Sequence, residues 1–573
     1  MQKRWKIKEL PPFESINQLS KALNGLSPSL CTLLIQRGID NFEKAHLFFR
    51  PKLNQLYDPF LMKDMEKAVL RLEKAISNQE KILIYGDYDV DGTTSVAMLY
   101  AFLSTFYNQL EYYIPDRYTE GYGISYKGID YAFENNFSLI IALDCGIKAN
   151  EKIEYANGKN IDFIICDHHR PGDTLPAACA VLDPKRSDCA YPYKELSGCG
   201  VGFKLLQAYA SRNNIDFRYL EECLDLLAIS ICADIVPITG ENRIFTFFGL
   251  QQLNKTPRHG IKALKELSKS RGELSVSDVV FLLAPRINAA GRIEKGISAV
   301  KTLLAKTEEE ARKTGELINI QNNDRRDLDK CITLEATEMI ENSEEYKKRK
   351  TTVVYKENWH KGVVGIVASR LIETYYKPTI VLTQANGVIS GSARSVKGFD
   401  VYNAIEACSD LLEQFGGHMY AAGLTLKNEN LEKFIHRFEK IVASSIEEEM
   451  LVPEEEIDAE IKFTEITQKF INVLKQFQPF GPENMNPIFM ARNVLSKPYA
   501  KVVGKNHLQF NAYQSKCPEM EFHVIGFGMG HYLSLVTSKK PFDILFHIDE
   551  NFWNNKKQIQ LKLIDIRASE NNS

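Results

Sequence analysis

No pair among the eleven cysteines (Cys31, Cys145, Cys166, Cys179, Cys189, Cys199, Cys223, Cys232, Cys331, Cys408 and Cys517) has the C-x-x-C spacing of a zinc ribbon or a dithiol redox motif. Their odd number and their scatter through apolar runs suit small buried thiols in a reducing compartment. No apolar run approaches the roughly 18–20 residues of a membrane span. The first residues, MQKRWKIKELPPFESI, lack the apolar core of a signal peptide, so the expectation is a cytoplasmic protein with no membrane partner. A surplus of positive charge is also missing. With a net charge of −3 the chain does not coat nucleic acid through bulk charge, although a local basic channel stays open, because phosphate affinity depends on where Lys and Arg sit. Low-complexity tracts and internal repeats are absent.

What is present is an ordinary globular composition, 44% hydrophobic and 25% charged, over 573 residues. Residues 1–64 suit an N-terminal helical segment broken by Pro11-Pro12. From residue 65 the pattern changes. The runs KILIYGDYD (81–89), SLIIALDCG (138–146), IDFIICDHH (161–169) and AVLDP (180–184) are near-continuous apolar strands, as in a parallel sheet buried on both faces. The spacers suit helical crossovers, which predicts a doubly wound α/β domain over 65–306. A charged segment poor in breakers predicts a long connecting helix within 307–350, with KKRK (347–350) near its end. A second α/β unit is expected over 351–450. The acidic stretch EEEMLVPEEEID (447–458) suits a solvated linker. Alternating strands in 451–573 predict a small β-barrel of the OB type.

The chemistry concentrates at strand ends. Asp87, Asp89 and Asp91 are spaced by two in GDYDVDGTTS, Asp144 ends the second run, and Asp167, His168 and His169 end the third. In open α/β sheets ligands bind at the carboxyl ends of the strands, so three such ends deliver acids and imidazoles to one edge. An isolated Asp there is as readily a helix N-cap. An EF-hand needs a bidentate Glu at loop position 12, where this chain has Met98. Mixed carboxylate and imidazole ligands suit Mn²⁺, and carboxylates also suit Mg²⁺. Two ions about 3.5–4 Å apart can clamp the attacking and leaving oxygens of a phosphoryl displacement.

DYDVDG, LDCG and DHH resemble the first three motifs of the DHH phosphoesterases, and ICADIVPITGENR (231–243) resembles the fourth. Within that family LSGCGVGFKL (196–205), APRINAAGRI (284–293), WHKGVVGIVASRL (359–371), SGSARS (390–395), FGGHMYAAGL (415–424) and FQPFGPENMNP (477–487) resemble motifs of RecJ-type exonucleases. The resemblance implies a DHH domain, a DHH-associated domain and an OB domain. It implies 5′→3′ hydrolysis of single-stranded DNA to mononucleotides in repair and recombination, with two Mn²⁺ or Mg²⁺ ions. It makes Asp89, Asp91, Asp144, His168 and Asp234 metal ligands, with Asp87 and Asp167 supporting them and Asp225 a weaker candidate. It places His169, Asp144 and Asp167 in catalysis, His169 beside the scissile phosphate. Ser392 and Arg394 in SGSARS are candidates for the 5′ end, with an ordinary polar turn as the alternative. Arg286, Asn288 and Arg292 are candidates for the DNA backbone or terminal phosphate, with a structural ion pair as the alternative. His418 is a weaker substrate contact. Phe510, Tyr513, Phe552 and Trp553 are stacking candidates in the barrel. A single-strand-binding protein and a RecQ-like helicase are implied partners, and a monomer is the expected state. The rival readings are a DHH enzyme for oligoribonucleotides or small phosphoesters, and an inactive DNA-binding scaffold.

Overall fold

Five short apolar runs come together as one all-parallel sheet. The computed structural model describes residues 3–270, 272–293, 296–385, 387–553 and 556–569. The strands are β1 (Lys81–Gly86), β2 (Leu110–Tyr113), β3 (Phe137–Leu143), β4 (Asp162–Cys166) and β5 (Ala180–Leu182), in the order β2-β1-β3-β4-β5. Every neighbouring pair is parallel. The order reverses between β1 and β3, so their carboxyl ends flank the crevice where such sheets bind ligands. The strands stop earlier than the apolar runs suggest. Asp87 follows β1, Asp144 follows β3 and Asp167 follows β4, so each acid stands just past a strand end. Helices α1 (Val90–Leu103), α2 (Gly198–Arg212) and α3 (Leu224–Ala233) pack together on this sheet's flank.

The chain forms two compact units, one of Tyr57–Val236 with Phe248–Pro453, the other of Arg4–Leu56 with Pro237–Phe247 and the chain from Glu454 onward. In the first unit the long helix α4 (Glu308–Glu341) is capped by Thr307, whose hydroxyl accepts from the Glu310 amide. It stops at Asn342. Ser343 then caps a separate short helix, Glu344–Lys348, so the KKRK run lies beyond α4 rather than at its end. A second sheet follows in the same unit, with β6 (Thr352–Tyr355), β7 (Thr379–Ala385), β8 (Val388–Arg394), β9 (Gln414–His418) and β10 (Ala421–Leu426) in the order β9-β10-β8-β7-β6. Only β6 and β7 run parallel. Helix α5 (Val364–Tyr375) covers one face, sharing a core of Val354, Val367 and Leu371 with Ile332 and Ala336 of α4. Phe434 and Phe438, from the helix Leu431–Ser445, pack on the other face.

In the second unit β11 (Phe489–Ser496), β12 (His507–Gln514), β13 (Cys517–Gly526), β14 (Phe542–Trp553) and β15 (Lys556–Ala568) close a barrel. β11 pairs with both β12 and β14, and the parallel contact of β13 with β15 completes the ring. That connectivity is the OB arrangement. Leu19, Leu30, Leu33 and Leu34 of the N-terminal helices join the barrel's core with Phe463 and Phe477. The acidic stretch is not only a solvated linker. Glu454–Ile457 is a strand paired in parallel with Arg4–Ile7, 450 residues away in the chain, and Arg4 bonds Glu454 at 2.7 Å. A basic strand opposite an acidic one replaces the self-repulsion that made the acidic run look like linker. Phe510 is a core residue rather than a stacking surface. Tyr513 is half-buried, with the Lys497 ammonium 4.7 Å from its ring centre. The side chains of Phe552 and Trp553 lie outside the described residues. No helix among the described residues is long and apolar enough to cross a membrane.

Candidate metal centre and phosphate site

Each acid of the crevice is held in its own way. Asp89 caps α1, accepting from the Gly92 amide at 3.1 Å, and Asp87 accepts from the Gly123 amide at 3.1 Å. Gly92 is required by close approach, since a Cβ there would stand 2.4 Å from the Asp87 carbonyl oxygen. Asp91, in the first turn of α1, takes the amides of Gly198 (2.7 Å) and Cys199 (2.9 Å) and the Ser230 hydroxyl (2.7 Å). These amides open α2, so the helix terminus stabilises the carboxylate. Asp144 sits in the left-handed region, at φ 59°. The His168 Nε2 lies 3.2 Å from Asp144 Oδ1, 3.6 Å from Asp234 Oδ2 and 3.8 Å from Asp91 Oδ2.

Two groups of donor atoms, Asp91–His168–Asp234 and Asp144–His168–His169, are close enough to hold a metal ion. Asp89 lies within hydrogen-bonding reach of Asp144. The residues fit a cation on a structural ground. Among the described residues Asp144 Oδ1, Asp87 Oδ2 and both His168 ring nitrogens are buried with no hydrogen-bond partner, a costly state unless something else binds them. Asp225 is not part of this set, because it is buried against Arg258 at 3.0 Å.

Burial, and then neighbouring carboxylates, push Asp87, Asp89 and Asp144 above the ordinary carboxylate range and Asp234 up to about 8. Burial lowers His168. The cation-free folded protein therefore binds more protons here than the unfolded chain. Stability from this cluster falls as pH rises from the unfolded value near ~4 through about 8. A cation reverses the sign by binding the deprotonated ligands in the folded state. In EDTA the melting temperature should fall between about pH 5 and pH 8. At pH 8, Mn²⁺ at about a hundredfold excess over its Kd should restore ~2.7 kcal/mol, read by scanning calorimetry. A melting temperature indifferent to metal would contradict the site.

Asp167 is spent on hydrogen bonds. It accepts from the amides of His168, His169 and Ile147, and its Oδ1 lies 2.7 Å from His169 Nδ1. Burial opposes its charge, yet the His169 contact, the Ile147 amide and the charge of His168 together hold the carboxyl down at about 2. Burial likewise opposes the His169 charge, and Asp167 with the charges of Asp234 and Asp91 overrides it, raising the imidazole to about 9. The other ring nitrogen of His169 meets the Tyr122 hydroxyl at 3.2 Å, and the same hydroxyl reaches the Asp144 carbonyl at 3.3 Å.

Gly198 wedges the centre together. A Cβ there would stand 2.6 Å from Asp144 Cβ and 2.8 Å from its Cα. Gly198→Ala should cost about 1–3 kcal/mol in denaturant unfolding and lower Mn²⁺ affinity about 10–100-fold. Unchanged affinity would show that the contact does not position Asp144.

The second sheet carries a positive counterpart. Thr379, Arg394, Ala421 and His418 form one row across β7, β8, β10 and β9. Arg394 Nη1 donates to Ser392 Oγ at 3.0 Å, and both side chains lie against Gly365 in the first turn of α5. Arg292 Nη1 donates to the Gly362 carbonyl at 3.1 Å. Burial first, then Arg117, Arg325 and Arg394, lower Arg292 to about 10, so three further guanidiniums lie near enough to Arg292 for their charges to act on it. Among the described residues no carboxylate forms an ion pair with Arg117, Arg292, Arg325 or Arg394, which suits an anion from outside. His418 is exposed on the same face, about two strand spacings or ~10 Å from Arg394. Asn288 is half-buried on the helix of Arg292. Arg286 lies near enough to Arg325 for their charges to interact, but its hydrogen bonds are made elsewhere. Its guanidinium is buried and donates to Leu282 O at 2.6 Å and to Asn319 of α4 at 3.1 Å, hydrogen bonds to neutral acceptors and not an ion pair.

Arg117, Arg325, Tyr122 and Ser230 join the site without a motif in the sequence that singles them out. Arg117 and Tyr122 lie in a loop after β2 whose residues PDRYTEGYG show no periodicity. Ser230 stands four residues before Asp234 on α3, a one-turn spacing that could have marked it.

Family models match in chain order, the DHH family N-terminal domain over residues 81–231, the DHHA1 domain over 348–444 and the RecJ OB domain over 457–565. The single-stranded-DNA-specific exonuclease RecJ of Bacillus subtilis (strain 168) is 38% identical over 571 residues, covering 99% of this chain and 71% of that protein. The protein of the same name from Escherichia coli (strain K12) is 34% identical over 466 residues, covering 78% of this chain and 80% of that protein. The crystal structure of RecJ in complex with Mn²⁺ from Thermus thermophilus matches with a TM-score of 0.84 at 25% identity, covering 99% of this chain and 80% of that one. Three matching domain models, a likeness to RecJ over 99% of this chain and a shared fold leave one conclusion, that this chain belongs to the RecJ family of DHH phosphoesterases.

Proposed function

We propose that this protein is a metal-dependent exonuclease that digests single-stranded DNA from its 5′ end, releasing 5′-mononucleotides, as its relatives' names suggest for the strand. The observation that carries this is the pairing of two sites in one unit. A buried carboxylate–imidazole centre lies beside guanidiniums that form no ion pair with a carboxylate among the described residues, and Asp89 is near enough to Arg292 for their charges to interact. An anchor for a terminal phosphate next to a hydrolytic centre sets an exonuclease register.

Asp87, Asp89, Asp91, Asp144, His168 and Asp234 would hold Mn²⁺ or Mg²⁺. Divalent cations bound there supply Lewis-acid stabilisation of the phosphoryl charge and a more acidic water. Asp167 positions His169 and keeps it protonated at neutral pH. His169 Nε2 then stabilises charge on the scissile phosphate or donates a proton to the departing 3′ oxygen. Ser392, Arg394 and Arg292 bind the terminal phosphate, joined by Arg117, while His418 and Asn288 border the strand. The OB barrel extends the track for bases and backbone. A cytoplasmic location, a monomeric state, and work beside a single-strand-binding protein and a RecQ-like helicase complete the proposal.

Substrate class is tested by digesting single-stranded DNA, blunt duplex DNA and RNA of one sequence in parallel with Mn²⁺. Single-stranded DNA should be consumed at least about tenfold faster than either alternative. Equal or faster digestion of RNA would move the protein toward oligoribonucleotides.

A further inference from the structure

A cleft of about 570 Å³ opens in the first unit between α4 and the loop leading into α5. That is the size range of small-molecule sites. Its wall includes the aromatic groups Tyr118, Trp359 and His360, the amides Asn358 and Gln384, Lys361, and the carboxylates Glu357 and Glu335, the latter paired with Lys356. Trp359 is buried and fixed, its indole N–H donating to Glu335 at 2.7 Å. Gln384 accepts from Tyr355 through its carbonyl oxygen, which leaves its NH₂ group for another acceptor. Lys361 is exposed and pairs with no carboxylate among the described residues. Rigid aromatic walls with amide donors and acceptors suit a planar heterocycle.

The cleft adjoins the guanidinium cluster. Tyr118 lines it, and the Tyr118 hydroxyl donates to the backbone carbonyl of Arg292. The Tyr118 and His360 rings meet edge to face at 6.3 Å. The next residue but one after His360, Gly362, gives its carbonyl to the Arg292 guanidinium. One short rim, 360–362, therefore separates an aromatic cleft from a phosphate-binding cluster, and Lys361 stands on it.

We propose that the cleft and the cluster form one site for a nucleoside 5′-diphosphate group, with the nucleoside in the cleft, one phosphate over Lys361 and the other among Arg117, Arg292 and Arg394. This rests on the cluster being the terminal-phosphate anchor. Two sources present that chemistry, a DNA strand whose 5′-phosphate carries a second nucleoside through a 5′–5′ pyrophosphate, and a free nucleoside diphosphate. On such a strand the established type of chemistry is unchanged. Water adds at the first internucleotide phosphorus, the bond to the 3′ oxygen breaks and that oxygen takes a proton. The products are a pyrophosphate-linked mononucleotide and a strand with a 5′-phosphate.

The test compares 5′-adenylylated and 5′-phosphorylated single strands of one sequence, with products weighed by mass spectrometry, for the wild type and for Cys331→Trp. Cys331 is an exposed position on α4 that lines the cleft, and a Trp there fills it. ADP is titrated into both proteins by calorimetry in EDTA. The adenylylated strand should be digested within about threefold of the phosphorylated one, and Cys331→Trp should slow only the adenylylated strand, about tenfold or more. If ADP binds the wild type and not Cys331→Trp while the adenylylated strand is spared, the site stands with free nucleotide as its source. No ADP binding together with no digestion of the adenylylated strand overturns the proposal, and so does equal handling of both ligands by the filled variant. Failure on the phosphorylated strand would sink the exonuclease assignment instead, and ADP binding would still decide the cleft.

Discussion

Asp144→Asn should lower the rate of single-stranded DNA digestion by about 10³-fold at saturating Mn²⁺, equivalent to ~4 kcal/mol of transition-state stabilisation. Asn is the informative substitution because Asp144 has a φ of 59°, a conformation that Asn tolerates and that Ala adopts only with strain. The variant keeps the turn, the volume and the approach of Gly198, and removes only the charge. Its folded state should be no less stable than the wild type in EDTA, since the lost charge is one that burial already disfavours. Stopped-flow rates and a melting curve in EDTA check both halves. A variant that digests DNA at more than about a tenth of the wild-type rate would place the reaction elsewhere.

Arg394→Ala should act on the substrate's end. The wild type is expected to prefer a 5′-phosphate over a 5′-hydroxyl, and the variant should lose about 30-fold of that preference, or ~2 kcal/mol, mostly through KM. Removing one guanidinium also relieves its neighbours, because Arg292 is lowered partly by Arg394. The protein should therefore melt no earlier without it. A loss of rate identical for 5′-phosphate and 5′-hydroxyl ends would show that Arg394 supports the fold or the strand's path and does not read the terminus.

The candidate catalytic edge was legible in the sequence because it is local. Buried parallel strands give unbroken apolar runs, and the polar residue that ends each run faces the crevice, so Asp144 and Asp167–His169 announce themselves. Even there the apolar runs overstate the strands, since Asp89 looks like strand and is in fact the cap of α1. The proposed phosphate anchor was legible only in part. Ser392 and Arg394 share a short polar motif, but Arg117, Arg292 and Arg325 come from a loop after β2, a helix and α4, and nothing in their local sequence ties them together. Arg286 shows the converse. It shares a motif with Arg292, one helix and six residues apart, yet its guanidinium is turned to the carbonyl of Leu282 and to Asn319. The pairing of Arg4–Ile7 with Glu454–Ile457 was beyond reach for the same reason, because a contact across 450 residues leaves no periodicity in either segment.

The most direct test of the central claim follows the first product released from a single-stranded DNA labelled at its 5′ end, in Mn²⁺ and in EDTA, beside the same strand labelled at its 3′ end. A 5′-terminal metal centre with a phosphate anchor beside it predicts a labelled mononucleotide from the 5′-labelled strand at the earliest times, a 3′ label that stays on shortening strands until the end, and no product in EDTA. Early release of the 3′ label, internal fragments, or cleavage that survives EDTA would contradict it.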